Sequence, residues 1–291
     1  MAGHPYLIVD VFTETALAGN QLAVFTKGRD VPIRLLQPLA LEMGFSETVF
    51  VLPPEGRETA SVRIFTPATE VPFAGHPVLG TAVALAIAGG LDRVDLRTAR
   101  AVIALEISNR TGVSAFGRMR QPIPSVATLP DPQPLFAALR IPGSALPVEI
   151  YDNGLPHVCV ALPDEAALAR LDPDMGALAR LARARDLAII GINCFAGSGS
   201  RWTTRMFAPA DGVPEDAATG SAAGPLACHL ARHGLIGFGD EITISQGTAI
   251  GRPSTLFATA FGSRDAVSGV EVAGSAVVVA SGTFHVAEGA P

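Results

Sequence analysis

The chain has 291 residues, enough for one large domain or two of ordinary size. Hydrophobic residues make up 48% and charged residues 16%, which excludes a disordered chain and supplies a sizeable core. The net charge of −6, with no basic block, argues against a nucleic-acid partner, and no apolar run reaches membrane-spanning length.

Along the chain, short strands dominate. Strand-like runs rich in β-branched residues are expected at 7–12, 22–25, 48–52 and 60–65, with a helical period over 33–43. An apolar helix is expected over 77–88. Strands at 102–107, 148–151 and 157–162 follow, with helical patterns at 135–139, 165–171 and 178–184. The last third reads as strands at 187–195 and 201–207, a helix over 222–232, and strands at 241–245, 255–261, 269–272 and 275–280. Many strands with few helices between them favour antiparallel sheet over an alternating βαβ fold.

The chain echoes itself. Arg63 to Pro72 and Arg205 to Pro214 both obey R-x-F-x-P-A-x-x-V-P, 142 residues apart. Each copy continues through a turn of small residues into an apolar helix. The first turn carries Gly75 and His76, the second Gly220 and Ser221. Helices that are apolar on most sides are usually buried. The expected fold is therefore α+β, with two similar antiparallel β-barrel halves, each around a central helix. The division is expected in the Pro-rich stretch 121–147, giving halves of 1–125 and 126–291, with the last strands or N-terminal residues free to cross between them.

A helix N-terminus exposes backbone N–H groups and partial positive charge, and a glycine before it lets a ligand approach closely. The two turns could therefore bind a small carboxylate. They could equally be ordinary capping, with Ser221 as a cap and His76 a hydrogen-bonded core histidine. Glu47, between a helix end and a strand, could be a solvated edge residue or, if buried, a general base. Asp216 could be a turn residue or part of a polar network. The sequence contains no dinucleotide fingerprint, Walker loop, zinc-protease motif or nucleophile elbow, and no lysine in a Schiff-base setting. Cofactor-free acid–base chemistry on a small carboxylate is what remains. Cys159, Cys194 and Cys228 are odd in number, far apart and in no CxxC spacing. They suit a reducing cytoplasm and argue against a disulfide framework or a zinc site. The N-terminus has no secretion-signal pattern, so a cytoplasmic location is expected.

The stretches "GNQLAVF", "FSETVFV", "RIFTPATEVPFAGHPVLGTA" and "EDAATGSAAGPLACHLARHG" resemble the phenazine-biosynthesis F isomerase family, of the diaminopimelate-epimerase-like fold. The resemblance runs from Leu7 to about Phe284. "MRQPIP", "INCFAGSGSRW" and "GRPS" resemble its phenazine-pathway members in particular. The resemblance implies a homodimer of two-barrel chains with the active site between the halves. It also implies cofactor-free isomerisation of trans-2,3-dihydro-3-hydroxyanthranilate, in which a proton leaves C3 and returns at C1. The family's catalytic residues fall on Glu47, His76, Asp216 and Ser221. Gly75 and Gly220 fall where backbone N–H groups meet the substrate carboxylate, and Asn20 and Ser46 fall among cleft-lining residues. Two other readings stay open: an isomerase of this family acting on another small cyclic acid, and a non-catalytic small-carboxylate binding protein. An amino-acid racemase of the sister family would need two cysteines at the helix turns that here carry His76 and Ser221.

Overall fold

The computed structural model of the protein describes residues 2–184 and 191–286. The chain forms two compact units, one of 1–120 together with 273–291 and the other of 121–272. The sequence reading put the division at 125/126 and left the last strands free to cross between the halves; residues 273–286 cluster with the first unit.

The first unit is built from β1 (Ala2–Val11), β2 (Asn20–Phe25), α1 (Ile33–Met43), β3 (Glu47–Leu52), β4 (Ala60–Phe65), the two-residue β5 (Glu70–Val71), α2 (Gly75–Gly89), β6 (Arg93–Arg97), β7 (Val102–Ser108) and β8 (Ser114–Gln121). The second holds β9 (Ser125–Thr128), α3 (Gln133–Leu139), β10 (Glu149–Asp152), β11 (Pro156–Ala161), α4 (Glu165–Ala169), α5 (Met175–Ala184), β12 (Gly191–Ser198), β13 (Arg201–Ala208), β14 (Val213–Asp216), α6 (Gly220–Arg232), β15 (Glu241–Gln246) and β16 (Ser254–Gly262). A long last strand, β17 (Val267–Val286), begins in the second unit and ends in the first.

In the first unit β1 pairs with β2, β2 with β3, β3 with β4, β4 with β6, β6 with β7 and β7 with β8. β8 pairs with β17, and β17 returns to β1 from Val11↔Ala276 to Ala2↔Val286, closing an eight-stranded ring. α2 packs against β1, β2, β3, β6 and β7. It is apolar all round, and Gly75 through Ala84 and Ala86 are buried. Gly80 lets it lie this close: a Cβ there would come within 2.6 Å of Val11 and 2.8 Å of Leu22. α1 instead covers one edge through Leu35, Leu36, Leu39 and Ala40, which pack with Phe25, Phe50 and Phe65.

The second unit repeats the plan. β9 pairs with β10, β10 with β11, β11 with β12, β12 with β13, β13 with β15 and β15 with β16, while α6 packs on β10, β11 and β16. Its outer helices α3, α4 and α5 supply Leu135, Leu139, Leu168 and Leu178 to a core shared with Val158, Val160 and Phe207.

The pairing is not antiparallel throughout. β2/β3, β4/β6, β11/β12 and β13/β15 are parallel. Each of these pairs is joined by a connection containing a helix, which is the connection a parallel pair requires. The sequence reading also missed β6 and β8. β6 is short and carries Arg93, Asp95 and Arg97 on its wetter face, while β8 buries Ala115, Gly117 and Met119 in alternation with exposed or half-buried residues. Small inward residues hide a period-2 signal. The two runs expected at 269–272 and 275–280 are one continuous strand, with Ala273 and Ala276 fully buried. Of the strand expected at 187–195, residues 187–190 lie outside the described residues.

The duplicated motif is visible in atoms. Arg63 makes two hydrogen bonds to Glu70, at 2.8 and 2.7 Å, and its guanidinium lies 5.2 Å from the Phe65 ring centroid. Arg205 does the same with Glu215, at 3.0 and 2.7 Å, and lies 5.2 Å from Phe207.

Candidate functional site

In the first unit, α1 ends at Gly44, which adopts a left-handed conformation (φ 65°) and donates its N–H to the Ala40 carbonyl. The chain then turns through Ser46 into β3, whose first residue is Glu47, paired in parallel with Leu22. α2 begins at Gly75 with no side-chain cap. This brings Asn20, Glu47 and His76 together. The His76 side chain is 2% exposed and that of Glu47 15%, so Glu47 is not a solvated strand-edge residue. His76 Nδ1 lies 3.3 Å from Glu47 Oε2 and 3.4 Å from Asn20 Nδ2, and His76 Nε2 lies 3.3 Å from the Gln21 carbonyl.

The Gln21 carbonyl can only accept, so Nε2 carries a hydrogen. A neutral imidazole then turns a lone pair from Nδ1 toward Glu47. The Asn20 amide N–H can meet that lone pair, with the Glu47 carboxyl beside both. The arrangement sets a carboxyl and an imidazole side by side, 3.3 Å apart, which is a geometry that general acid–base work can use.

In the second unit, β14 ends at Asp216 and α6 begins at Gly220 with Thr219 as N-cap. The Thr219 hydroxyl does not cap the helix. It donates to Asp216 Oδ2 at 2.6 Å, and Gln246 Nε2 donates to the Asp216 carbonyl at 2.9 Å. Asp216 is 4% exposed and Ser221 3%. Ser221 is not a cap either: it sits inside the first turn, with Oγ 2.9 Å from His157 Nε2.

The start of α6 is pinned for a further reason. Pro225 has no N–H, so the Ser221 carbonyl lacks its usual helical donor. Asn153 Nδ2 supplies one at 2.9 Å, and Gln121 Nε2 donates to the Gly220 carbonyl at 2.8 Å. Asn153, His157, Thr219 and Gln246 did not stand out from the sequence. The one local signal was Pro225, which demands an outside donor without naming it.

Glu149, His229 and His233 place three possible metal-ligating atoms within 4.8 Å of one another in the second unit. Glu149 Oε2 accepts from the Tyr151 hydroxyl at 2.7 Å and lies 3.1 Å from His229 Nδ1 and 3.0 Å from His233 Nε2. Burial pushes the Glu149 carboxyl up, but the hydrogen bonds from His229, Tyr151 and His233 outweigh it and hold the group down at about 2. A metal ion on Nδ1 would move the His229 proton to Nε2, which is buried with no partner among the described residues. The cluster is better satisfied as hydrogen bonds than as a metal site. Cys159, Cys194 and Cys228 are buried, and burial raises all three thiols, that of Cys228 to about 12, so none is a ready thiolate base. No helix among the described residues is long and apolar enough to cross a membrane.

The family model described as phenazine biosynthesis-like protein (PhzC-PhzF) matches residues 9–282. A trans-2,3-dihydro-3-hydroxyanthranilate isomerase of Pseudomonas chlororaphis is 50% identical over 97% of this chain and 99% of its own length. The protein of the same name from Pseudomonas aeruginosa is 46% identical over the same shares. A solved structure described as a predicted epimerase from Pseudomonas aeruginosa superposes with a TM-score of 0.83 at 29% identity, covering 98% of this chain and 100% of that one.

Proposed function

From the premise that this chain belongs to the phenazine biosynthesis-like protein family, we infer that it is a trans-2,3-dihydro-3-hydroxyanthranilate isomerase. The observation that carries the reading is the Glu47–His76 pair, found in a chain nearly half identical, end to end, to proteins named for that reaction.

In this reading Glu47 takes the proton from C3 and delivers it to C1, and His76 buffers the charge of the carboxyl between the two transfers. The C3 proton is activated by the adjacent diene and carboxylate, so a single positioned base suffices, with a contribution of roughly 10²–10⁴-fold. Each helix start offers its own anion site, in the first unit the backbone N–H of Gly75 with Ser46 and Asn20, in the second that of Gly220 with Asp216 and Ser221, to hold substrate and stabilise developing charge. Every step uses groups of the chain itself. The reading includes a cytoplasmic homodimer, on the family resemblance and the three buried free thiols; light scattering of the purified protein tests the dimer.

The test is to mix the protein with trans-2,3-dihydro-3-hydroxyanthranilate in D₂O and follow it by proton NMR. Wild type is expected to consume the substrate, with isotope entering at C1 to the extent that Glu47 exchanges with solvent. Glu47→Gln is expected to bind the substrate and leave it unchanged. An active Glu47→Gln protein would remove the proton-shuttle assignment. Substrate left untouched by wild type would move the activity to another small cyclic acid or to binding alone.

A further inference from the structure

Ser221 has an unusual neighbour. His157 stands on β11, opposite Gly191 of the parallel strand β12, and is 1% exposed. Its Nε2 is 2.9 Å from Ser221 Oγ, and among the described residues this is the hydrogen-bond partner of the Ser221 side chain. Among the described residues its buried Nδ1 has no hydrogen-bond partner. Gly191 is what makes room for that ring edge, since a Cβ built there would overlap Nδ1.

These contacts decide the tautomer. Burial pushes the imidazole down to about 4, so it is neutral at pH 7 and holds one N–H. If that hydrogen sat on Nδ1, it would be a buried donor with no acceptor. On Nε2 it has Ser221 Oγ, and Nδ1 is left with an unmet lone pair, which native structures tolerate better than an orphaned N–H. Nε2–H therefore donates to Ser221 Oγ. The hydroxyl proton of Ser221 is then directed away from His157, and its oxygen, already accepting one hydrogen bond, becomes a stronger donor. The backbone of Ser221 is held independently, through Asn153 on its carbonyl.

We propose that His157 is a positioning residue that fixes Ser221 as a hydrogen-bond donor to an oxygen of the anionic substrate. The proposal rests on the reading that Ser221 contacts substrate. Without His157 the hydroxyl rotates and can equally accept, so the contact is lost for part of the time.

The test is a double-mutant cycle on the full chain. His157→Leu is expected to raise KM by roughly 3- to 10-fold, less than the loss of a whole hydrogen bond to a charged group, with a smaller change in kcat. His157→Gln, whose amide N–H reaches close to the Nε2 position, is expected to restore most of the loss. In the Ser221→Ala background, His157→Leu is expected to change KM no further. The proposal is overturned if His157→Leu costs the same with and without the serine, or if ¹⁵N NMR of wild type finds the His157 hydrogen on Nδ1. The NMR measurement does not require the leucine variant to fold. A Ser221→Ala protein with wild-type KM and kcat would instead overturn the substrate contact on which the proposal rests, and that result is distinguishable because the His157 tautomer would still be found on Nε2.

Discussion

Glu215→Ala should destabilise the protein far more than Glu70→Ala, although the two glutamates make the same pair of bonds to equivalent arginines. The duplicated motif provides this control internally. Arg63–Glu70 and Arg205–Glu215 share their bidentate form and the 5.2 Å approach of arginine to phenylalanine. They differ in burial: the side chains are 32% and 40% exposed in the first pair, 13% and 9% in the second. An exposed pair contributes about 0.2–1 kcal/mol, so Glu70→Ala should cost at most about 1 kcal/mol. Breaking a buried pair costs about 3–5 kcal/mol because a charge is left without its partner. Arg205 keeps two carbonyl acceptors, Leu171 at 2.7 Å and Leu168 at 3.3 Å. These lower the expected cost of Glu215→Ala to about 2–4 kcal/mol. Urea unfolding followed by far-UV circular dichroism reads both variants. The single tryptophan, Trp202, lies on the same strand as Arg205 and reports on the second unit by fluorescence. Equal costs for the two variants, within about 0.5 kcal/mol, would refute the argument from burial.

Native His157 binds a proton only near pH 4, whereas the unfolded chain binds one near 6.5. Its contribution to stability is therefore complete above pH 6.5 and is lost as pH falls toward 4, by up to roughly 3 kcal/mol, and His157→Gln should flatten the urea midpoint against pH over that range. Gly80→Ala should cost about 1–3 kcal/mol in urea unfolding, because the added methyl meets Val11 and Leu22 in a packed interior. Asn153→Leu should cost about 1–3 kcal/mol by orphaning the Ser221 carbonyl, and less in a Pro225→Ala background, where the restored amide N–H takes over; equal losses in both backgrounds would show that the proline is not what Asn153 compensates.

The sequence made the duplicated helices legible because their signals are local: Gly-His-Pro and Gly-Ser starts, and apolar residues on most sides. Glu47 and Asp216 were legible as candidates for the same reason, each standing next to a turn. The parallel pairs were not, since a strand run carries no mark of its neighbour's direction. β6 and β8 were lost where charged residues and small inward ones blur alternation. His157 and Asn153 were out of reach, because they meet Ser221 across 64 and 68 residues of chain and nothing near them in sequence announces the contact.

The return of β17 to β1 bears on how the protein is made. Residues 121–272 are one continuous stretch, complete as soon as they clear the ribosome. The first unit, though synthesised first, lacks the strand that closes its ring until 273–286 have emerged. During translation its β1 edge waits unpaired while more than half the chain is still being added. Synthesis order and order of completion are thus reversed, and the nascent first half, not the second, is where a chaperone would have most to protect.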